Sequence, residues 1–111
     1  MQPSGGPNNG FNIEDRDIRR LFQYLFLYSR GGALRSRIVL ILRERPRNKN
    51  ELSNMLGVNY RTVEHHLSVL LKNKVVDGDF RKYNSLFYLN GRMSGYIEES
   101  LETLEMLGGS R

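Results

Sequence analysis

Two short amphipathic segments joined by a glycine turn constrain the fold of this chain more than any other feature. The first begins after Asn48, and Glu51 completes a capping-box arrangement three residues later. Gly57 suits the left-handed conformation that ends a helix, and Asn59 can cap a second helix over residues 60–72. Two helices separated by a turn of about three residues predict a helix-turn-helix.

Apolar residues at helical spacing predict two further helices upstream. The first runs from Asp15 to about Ser29, and the second from Ala33 to Arg45. Pro46 ends the second helix because the residue before a proline disfavours helical angles. Residues 1–12 are rich in Gly, Pro, Asn and Ser, and we expect a disordered tail there.

The periodicity changes after the helix-turn-helix. Val75-Val76 and residues 86–89 are rich in strand formers and enclose a polar stretch, residues 77–85, which predicts a β-hairpin or wing. Apolar residues at three- and four-residue spacing then predict an amphipathic C-terminal helix over residues 93–107, ended by glycines.

These elements predict one domain over residues 13–108, mainly α with a small β-hairpin. It is a winged helix-turn-helix core, residues 33–90, with extra N- and C-terminal helices, residues 13–30 and 93–107, that form a dimer interface.

Positive charge is concentrated in the middle of the chain. Residues 30–92 contain thirteen Lys and Arg against five Asp and Glu, whereas residues 1–29 are neutral and residues 93–111 carry a net −3. The basic segment coincides with the helix-turn-helix and the hairpin, which favours a polyanionic partner such as DNA.

Composition argues against several other classes of protein. The absence of cysteine excludes disulfides, thiolate metal sites and thiol nucleophiles. The N-terminus lacks the pattern of a signal peptide, and the longest apolar run, residues 38–42, is too short to cross a bilayer. No phosphate loop or nucleophile–base pair is visible. We therefore expect a cytoplasmic, nucleoid-associated protein that is not an enzyme and needs no cofactor.

Residues 51–76, ELSNMLGVNYRTVEHHLSVLLKNKVV, carry a resemblance to a known family. They are similar to the ArsR-type winged helix regulators, especially the archaeal branch with a TVxHHL recognition helix, and the likeness extends over about residues 30–90. The resemblance implies a transcription regulator whose terminal helices form a dimer. Metal sensing is not implied, because cysteine ligands are missing and the C-terminal helix has no histidine.

The fourth predicted helix separates into an apolar and a polar face at about 100° per residue. The polar face is suited to the floor of a major groove, where Arg donates to guanine and Ser or His to base edges or phosphates. We expect Asn59 and Thr62 to hold phosphates or cap the helix. The predicted contacts from this region are Asn59, Tyr60, Arg61, Thr62, His65, Ser68 and Lys72.

Other basic residues are candidates for phosphate contacts. Arg81 and Lys82 lie at the predicted hairpin tip, next to the DNA backbone or the minor groove. Arg47 and Lys49 lie near the start of the third helix, an end that helix-turn-helix proteins bring close to the backbone.

The terminal helices carry more apolar surface than a small winged domain buries alone. A two-fold dimer would bury the excess and space two recognition helices about one turn of DNA apart. Packing within one chain and a membrane-surface helix are the alternatives. The predicted interface residues are Ile18, Leu21, Phe22, Leu25, Ile97, Leu101 and Leu104.

The adjacent histidines His65 and His66 do not predict a metal site. Neighbouring helical residues point about 100° apart and do not easily share one ion. His66 lies nearer the apolar face, so we expect it to pack or to form hydrogen bonds within the domain.

Two other functions stay open. A winged helix that binds only proteins would be expected to show apolar residues where Arg61, His65 and Lys72 stand. A non-specific architectural protein would bind DNA with a steep salt dependence and little sequence preference.

Overall fold

The computed structural model describes residues 13–109, so the tail predicted over residues 1–12 lies outside the described residues. The fold is mainly helical with one small antiparallel hairpin, as predicted. In chain order the elements are α1 (Ile13–Phe22), a π-helical segment (Gln23–Tyr28), α2 (Gly32–Glu44), α3 (Lys49–Leu56), α4 (Tyr60–Lys72), β1 (Val76–Asp77), β2 (Tyr88–Leu89), a 3-10 turn (Gly91–Met93), α5 (Ser94–Glu99) and α6 (Leu101–Gly108).

The helix-turn-helix has the caps that its sequence predicts. Asn48 Oδ1 accepts the backbone N–H of Glu51 at 2.8 Å, and the Glu51 carboxylate accepts the N–H of Asn48 at 2.9 Å. This second bond lowers the pKa of the Glu51 carboxyl group. Gly57 ends α3 at φ 69° and ψ 31°, and Asn59 Oδ1 accepts the N–H of Thr62 at 2.9 Å. The two helices therefore begin and end where hydrogen-bonding side chains and a left-handed glycine dictate.

The core is built around α2, which packs against α6, the π-helical segment and α4. The helices turn apolar side chains inward, β1 packs against α4, and β2 packs against α2. The buried apolar residues are Phe22, Leu25, Phe26, Ile38, Val39, Leu42, Leu52, Leu56, Val63, Leu67, Leu70, Val75, Val76, Phe87, Ile97 and Leu104.

The N-terminal helix is not the continuous α-helix that the sequence predicts. It changes to π-helical geometry over Gln23–Tyr28. The Leu25 carbonyl accepts hydrogen bonds from the Ser29 hydroxyl at 3.3 Å and from Arg35 Nε at 3.0 Å. Partners outside the regular helical ladder therefore hold this carbonyl.

The C-terminal helix is also interrupted, whereas the sequence predicts one helix over residues 93–107. Ser100 separates α5 from α6, and its N–H is shared between the carbonyls of Tyr96 at 3.0 Å and Ile97 at 3.1 Å. Beyond the break α6 approaches α2 so closely that a Cβ on Gly108 would lie 2.6 Å from the Ala33 carbonyl oxygen. The sequence gives no sign of the break because the apolar spacing continues through it.

The hairpin is shorter than predicted, with two residues in each strand. Val76 pairs with Leu89 and Asp77 with Tyr88. Phe87 pairs instead with Arg47, the residue just before the α3 cap, through backbone bonds of 2.8 and 3.1 Å. The segment leading into α3 thus acts as a third, bridge-length strand that the sequence did not reveal.

Candidate nucleic-acid interface

The fourth helix presents one polar face to solvent. Val63, Leu67 and Leu70 are buried, as the periodicity predicts. Four side chains on the opposite face are exposed: Arg61, His65, Ser68 and Lys72. The Ser68 hydroxyl donates to the His65 carbonyl at 2.8 Å, which leaves the hydroxyl oxygen available as an acceptor. The structure therefore brings the predicted polar stripe together on one surface.

At the start of this helix, the polar side chains form hydrogen bonds within the helix cap. Asn59 Oδ1 accepts from both the backbone N–H and the hydroxyl of Thr62, at 2.9 and 3.1 Å. These bonds support the capping alternative for Asn59 and Thr62. Tyr60 is exposed beside them, at the N-terminal end that reaches deepest in helix-turn-helix proteins.

The loop between the two strands carries the basic wing tip. The Arg81 side chain is 91% exposed, with Nε 3.7 Å from an Asp79 oxygen, and Lys82 is also exposed. Sequence reasoning missed Tyr83, which is 84% exposed beside them. Its position between a basic residue and an Asn at the hairpin tip was the available signal.

The structure places Arg47 and Lys49 differently from the prediction of phosphate contacts. Lys49 is buried, and its Nζ lies 2.8 Å from a Glu64 carboxylate oxygen and 3.3 Å from the Phe80 carbonyl oxygen. The Arg47 side chain is largely covered and pairs with Glu44 at 3.2 Å. We therefore no longer expect Lys49 to contact DNA, because its ammonium group is buried and paired within the domain. Among the described residues Arg47 Nε is buried without a hydrogen-bond partner, and a phosphate contact by Arg47 stays a prediction.

His66 lies on the inner side of α4, where we expected packing or hydrogen bonding. It is buried, and its Nδ1 is 3.0 Å from Nη1 of Arg35. Burial, followed by the positive charge of Arg35, lowers the pKa of His66 to about 4. His66 is therefore a neutral core residue at neutral pH, whereas His65 faces solvent.

The residues predicted for the dimer interface divide into two groups. Phe22, Leu25, Ile97 and Leu104 are buried within the single chain, so the structure assigns them to the core of the protomer. Because these side chains are covered within one chain, they have little surface left to contact a partner. Ile18 and Leu21 are half-buried against that core, and Leu101 is also half-buried.

Other apolar side chains of the terminal helices remain exposed. Tyr24, Leu27 and Tyr28 are exposed on the π-helical segment, and Met106 is 77% exposed on α6, which packs against that segment. We call these four residues the terminal apolar face. Residues 21–28, LFQYLFLY, are nearly apolar all round, and so the sequence did not separate inward from outward positions for Tyr24, Leu27 and Tyr28.

The described residues show neither a metal-binding cluster nor a membrane-spanning helix. Within residues 13–109, no three His, Asp or Glu side chains are grouped closely enough to hold a metal ion. In the same part of the chain, no helix is both long and apolar enough to cross a membrane.

Comparison with known proteins gives the class of this fold. A solved structure with a TM-score of 0.53 is the homodimeric winged helix-turn-helix DNA-binding domain of Mb0332 from Mycobacterium bovis, described as a possible ArsR-family transcriptional regulator. The two chains are 18% identical, and the match covers 87% of this chain and 94% of the other. The chain is a winged helix-turn-helix protein.

A family model matches the helix-turn-helix part of the chain. Residues 33–77 match the model described as "Bacterial regulatory protein, arsR family", and no curated protein sequence matches the chain. This segment is therefore similar to the ArsR-family helix-turn-helix domain, which confirms the resemblance seen in the sequence. The domain has the fold of a DNA-binding transcription regulator.

Proposed function

We propose that this protein is a sequence-specific transcription regulator that binds double-stranded DNA as a homodimer. The observation that carries the proposal is the exposed polar face of α4, with Arg61 and His65 near its N-terminal half. The recognition helix α4 enters the major groove, and the wing tip contacts the adjacent backbone or minor groove. The role is one of binding and not of catalysis.

The chemistry of this face supports base reading over protein binding. Arg61 can donate two parallel hydrogen bonds to guanine O6 and N7, and His65 and Ser68 can bond to base edges or phosphates. Lys72 extends the positive charge along the helix. A surface that docked an apolar protein partner would not consist of four polar side chains.

The terminal apolar face supports a dimer, with a second copy of this chain as the occupant. Large apolar side chains exposed together on adjoining elements mark interaction sites in soluble proteins. The M. bovis domain, which has the same fold, is homodimeric. A two-fold axis through this face would present two α4 helices to one side of a DNA duplex.

The test is a fluorescence-anisotropy titration of promoter DNA from the native locus and of scrambled DNA over a salt series. Wild type is compared with Arg61→Ala/His65→Ala and with the control Arg43→Ala. Arg43 also carries a positive charge, but it pairs with Glu98 of α5 at 2.6 Å, away from the polar face of α4. We expect a preference for promoter DNA that the double substitution abolishes and the control retains.

Two outcomes would contradict this proposal. Equal, steeply salt-dependent binding to both DNAs would favour an architectural protein that contacts phosphates alone. No binding at low salt would remove DNA as the partner and favour a protein-binding winged helix.

A further inference from the structure

We infer that Lys49 is a positioning residue that fixes the wing relative to the recognition helix. The inference rests on the proposed function, because its consequence is a DNA contact by the wing. It assigns a role to a buried charge that the exposed interface does not use.

Lys49 connects three elements: α3, to which it belongs, α4 and the wing loop. It begins α3, and its Nζ is 2.8 Å from the Glu64 carboxylate on α4. The same nitrogen lies 3.3 Å from the Phe80 carbonyl oxygen and 4.1 Å from the centre of the Phe80 ring, both in the wing loop. It is also 5.6 Å from the centre of the Tyr60 ring, one helical turn before Glu64. One ammonium group therefore joins the helix-turn-helix to the wing.

The arrangement suits positioning because the charge is buried and already paired within the protein. The Lys49 side chain is 9% exposed, whereas that of Glu64 is 35% exposed. An ammonium ion covered on all sides is stable only when a counter-charge and hydrogen-bond acceptors surround it. Glu64, the carbonyl and the aromatic face meet that need only while Phe80 stays in place. The buried charge thus favours a single wing geometry.

A second contact, between the rings of Phe80 and Phe87, supports the same part of the wing. The Phe80 ring packs edge-on against Phe87 at 6.1 Å, and Phe87 is paired through its backbone with Arg47. The wing leaves β1 through Gly78, where a Cβ would lie 2.5 Å from the Phe87 ring. The base of the wing is therefore tightly packed, and the Lys49 contact extends this order into the loop that carries Arg81.

The main experiment is a double-mutant cycle read from the salt dependence of promoter binding. In the wild-type background, Arg81→Ala/Lys82→Ala removes two cations from each protomer and four from the dimer, and we expect the slope of log K against log salt to become shallower by about four units. In a Lys49→Met background the wing is no longer held on the DNA, and we expect the same pair of substitutions to change the slope for the dimer by less than about one unit. Val39→Ala is the matched control, because it weakens the core of α2 without touching this contact.

A DNA-free measurement keeps the inference separate from the proposed function. The amides of Lys82 and Ser85 donate within the wing loop at 3.2 Å each. We expect their hydrogen exchange, relative to global unfolding, to accelerate at least tenfold in Lys49→Met and not in Val39→Ala. If Lys49→Met does not fold, Glu64→Gln takes its place, because it removes the ion pair and keeps an amide acceptor. We then expect a smaller acceleration of hydrogen exchange at the same two amides.

Each outcome has one meaning. Equal slope changes in the wild-type and Lys49→Met backgrounds, or unchanged exchange at Lys82 and Ser85, would overturn the positioning role. If wild type does not bind DNA, the proposed function fails, and hydrogen exchange alone decides whether Lys49 holds the wing.

Discussion

Nη1 of Arg35 donates a hydrogen bond to Nδ1 of His66 across 3.0 Å, in a place where both side chains are buried. The same guanidinium donates to the Leu25 carbonyl at 3.0 Å and to the Ser29 hydroxyl. Its acceptors in this cluster are neutral, and burial lowers the pKa of Arg35. The pair connects the end of the π-helical segment to the inner side of the recognition helix.

This pair predicts that the protein loses stability as the pH falls from about 6.5 to about 4. The pKa of His66 is lowered to about 4 by burial, then by Arg35 and by His65, whose ring centre is 4.9 Å away. The unfolded chain takes up a proton near pH 6.5, while the native protein resists it until about pH 4. The free energy of unfolding therefore falls with pH across this window, by about 3 kcal/mol in total.

Urea unfolding at a series of pH values checks this expectation against His66→Gln, which retains an acceptor for Arg35. The difference in unfolding free energy between the two proteins should depend on pH only within that window. A constant difference from pH 7 to pH 4 would show that His66 titrates normally in the folded protein. Glu51 and Glu98, whose pKa values are lowered, lose their contributions only near and below pH 4.5 and are common to both proteins.

The same cluster makes Gly31 sensitive to substitution. A Cβ at Gly31 would press on the His66 ring and lie 2.6 Å from Nη1 of Arg35. We expect Gly31→Ala to lower the free energy of unfolding by about 1–3 kcal/mol, since the tightly packed network must shift to admit a methyl group.

Gly95→Ala is the matched control for Gly31→Ala in thermal and urea unfolding. A Cβ at Gly95 would have no neighbour within 4 Å, and the residue lies inside α5. Alanine is the better helix former, so this change should be neutral or stabilise by up to about 1 kcal/mol. Equal effects at the two positions would mean that the Arg35–His66 cluster adapts to the added methyl group.

The sequence predicted the helix-turn-helix almost residue by residue, because its ends are set by local chemistry. Asn48, Glu51, Gly57 and Asn59 each act within a few residues of their own position. The polar face of α4 was predictable for a related reason, since helical periodicity alone separates it from the core.

The errors in the prediction fall where contacts between distant residues decide. Lys49 appeared as a surface cation until the fold placed it beside Glu64 and Phe80, fifteen and thirty-one residues away. Leu25 and Tyr28 belong to one apolar run, yet only the packing of α2 and α6 shows that the first is core and the second is exposed. The breaks in the terminal helices likewise follow from tertiary packing and leave the apolar spacing unchanged.

The terminal apolar face predicts that single charges on it weaken self-association. Tyr28 is 73% exposed in the protomer, so Tyr28→Asp should leave the fold intact. In a dimer it would bury an unpaired carboxylate, and we expect the dimer dissociation constant to rise at least about tenfold. Met106→Asp should act in the same direction.

Sedimentation equilibrium over a concentration series measures this change. Tyr83→Asp is the control, because it places the same charge on a similarly exposed tyrosine at the wing tip. Dimers of unchanged stability in both Tyr28→Asp and Met106→Asp would mean that the protein associates through another surface.

Arg61 offers the sharpest test of base reading, because Arg61→Lys keeps the charge and loses the planar fork of donors. If Arg61 forms a bidentate contact with a guanine, the substitution should cost about 1–3 kcal/mol of discrimination between promoter and scrambled DNA for each half-site that the dimer reads. The salt slope and the affinity for scrambled DNA should stay the same, since the number of cations is unchanged. Competition binding at one salt concentration measures the ratio of the affinities for promoter and scrambled DNA directly.

Lys72→Arg, at the far end of the same exposed face, is the control and should preserve this ratio. An equal loss of affinity for both DNAs after Arg61→Lys would instead assign Arg61 to a phosphate and move base recognition to His65 and its neighbours.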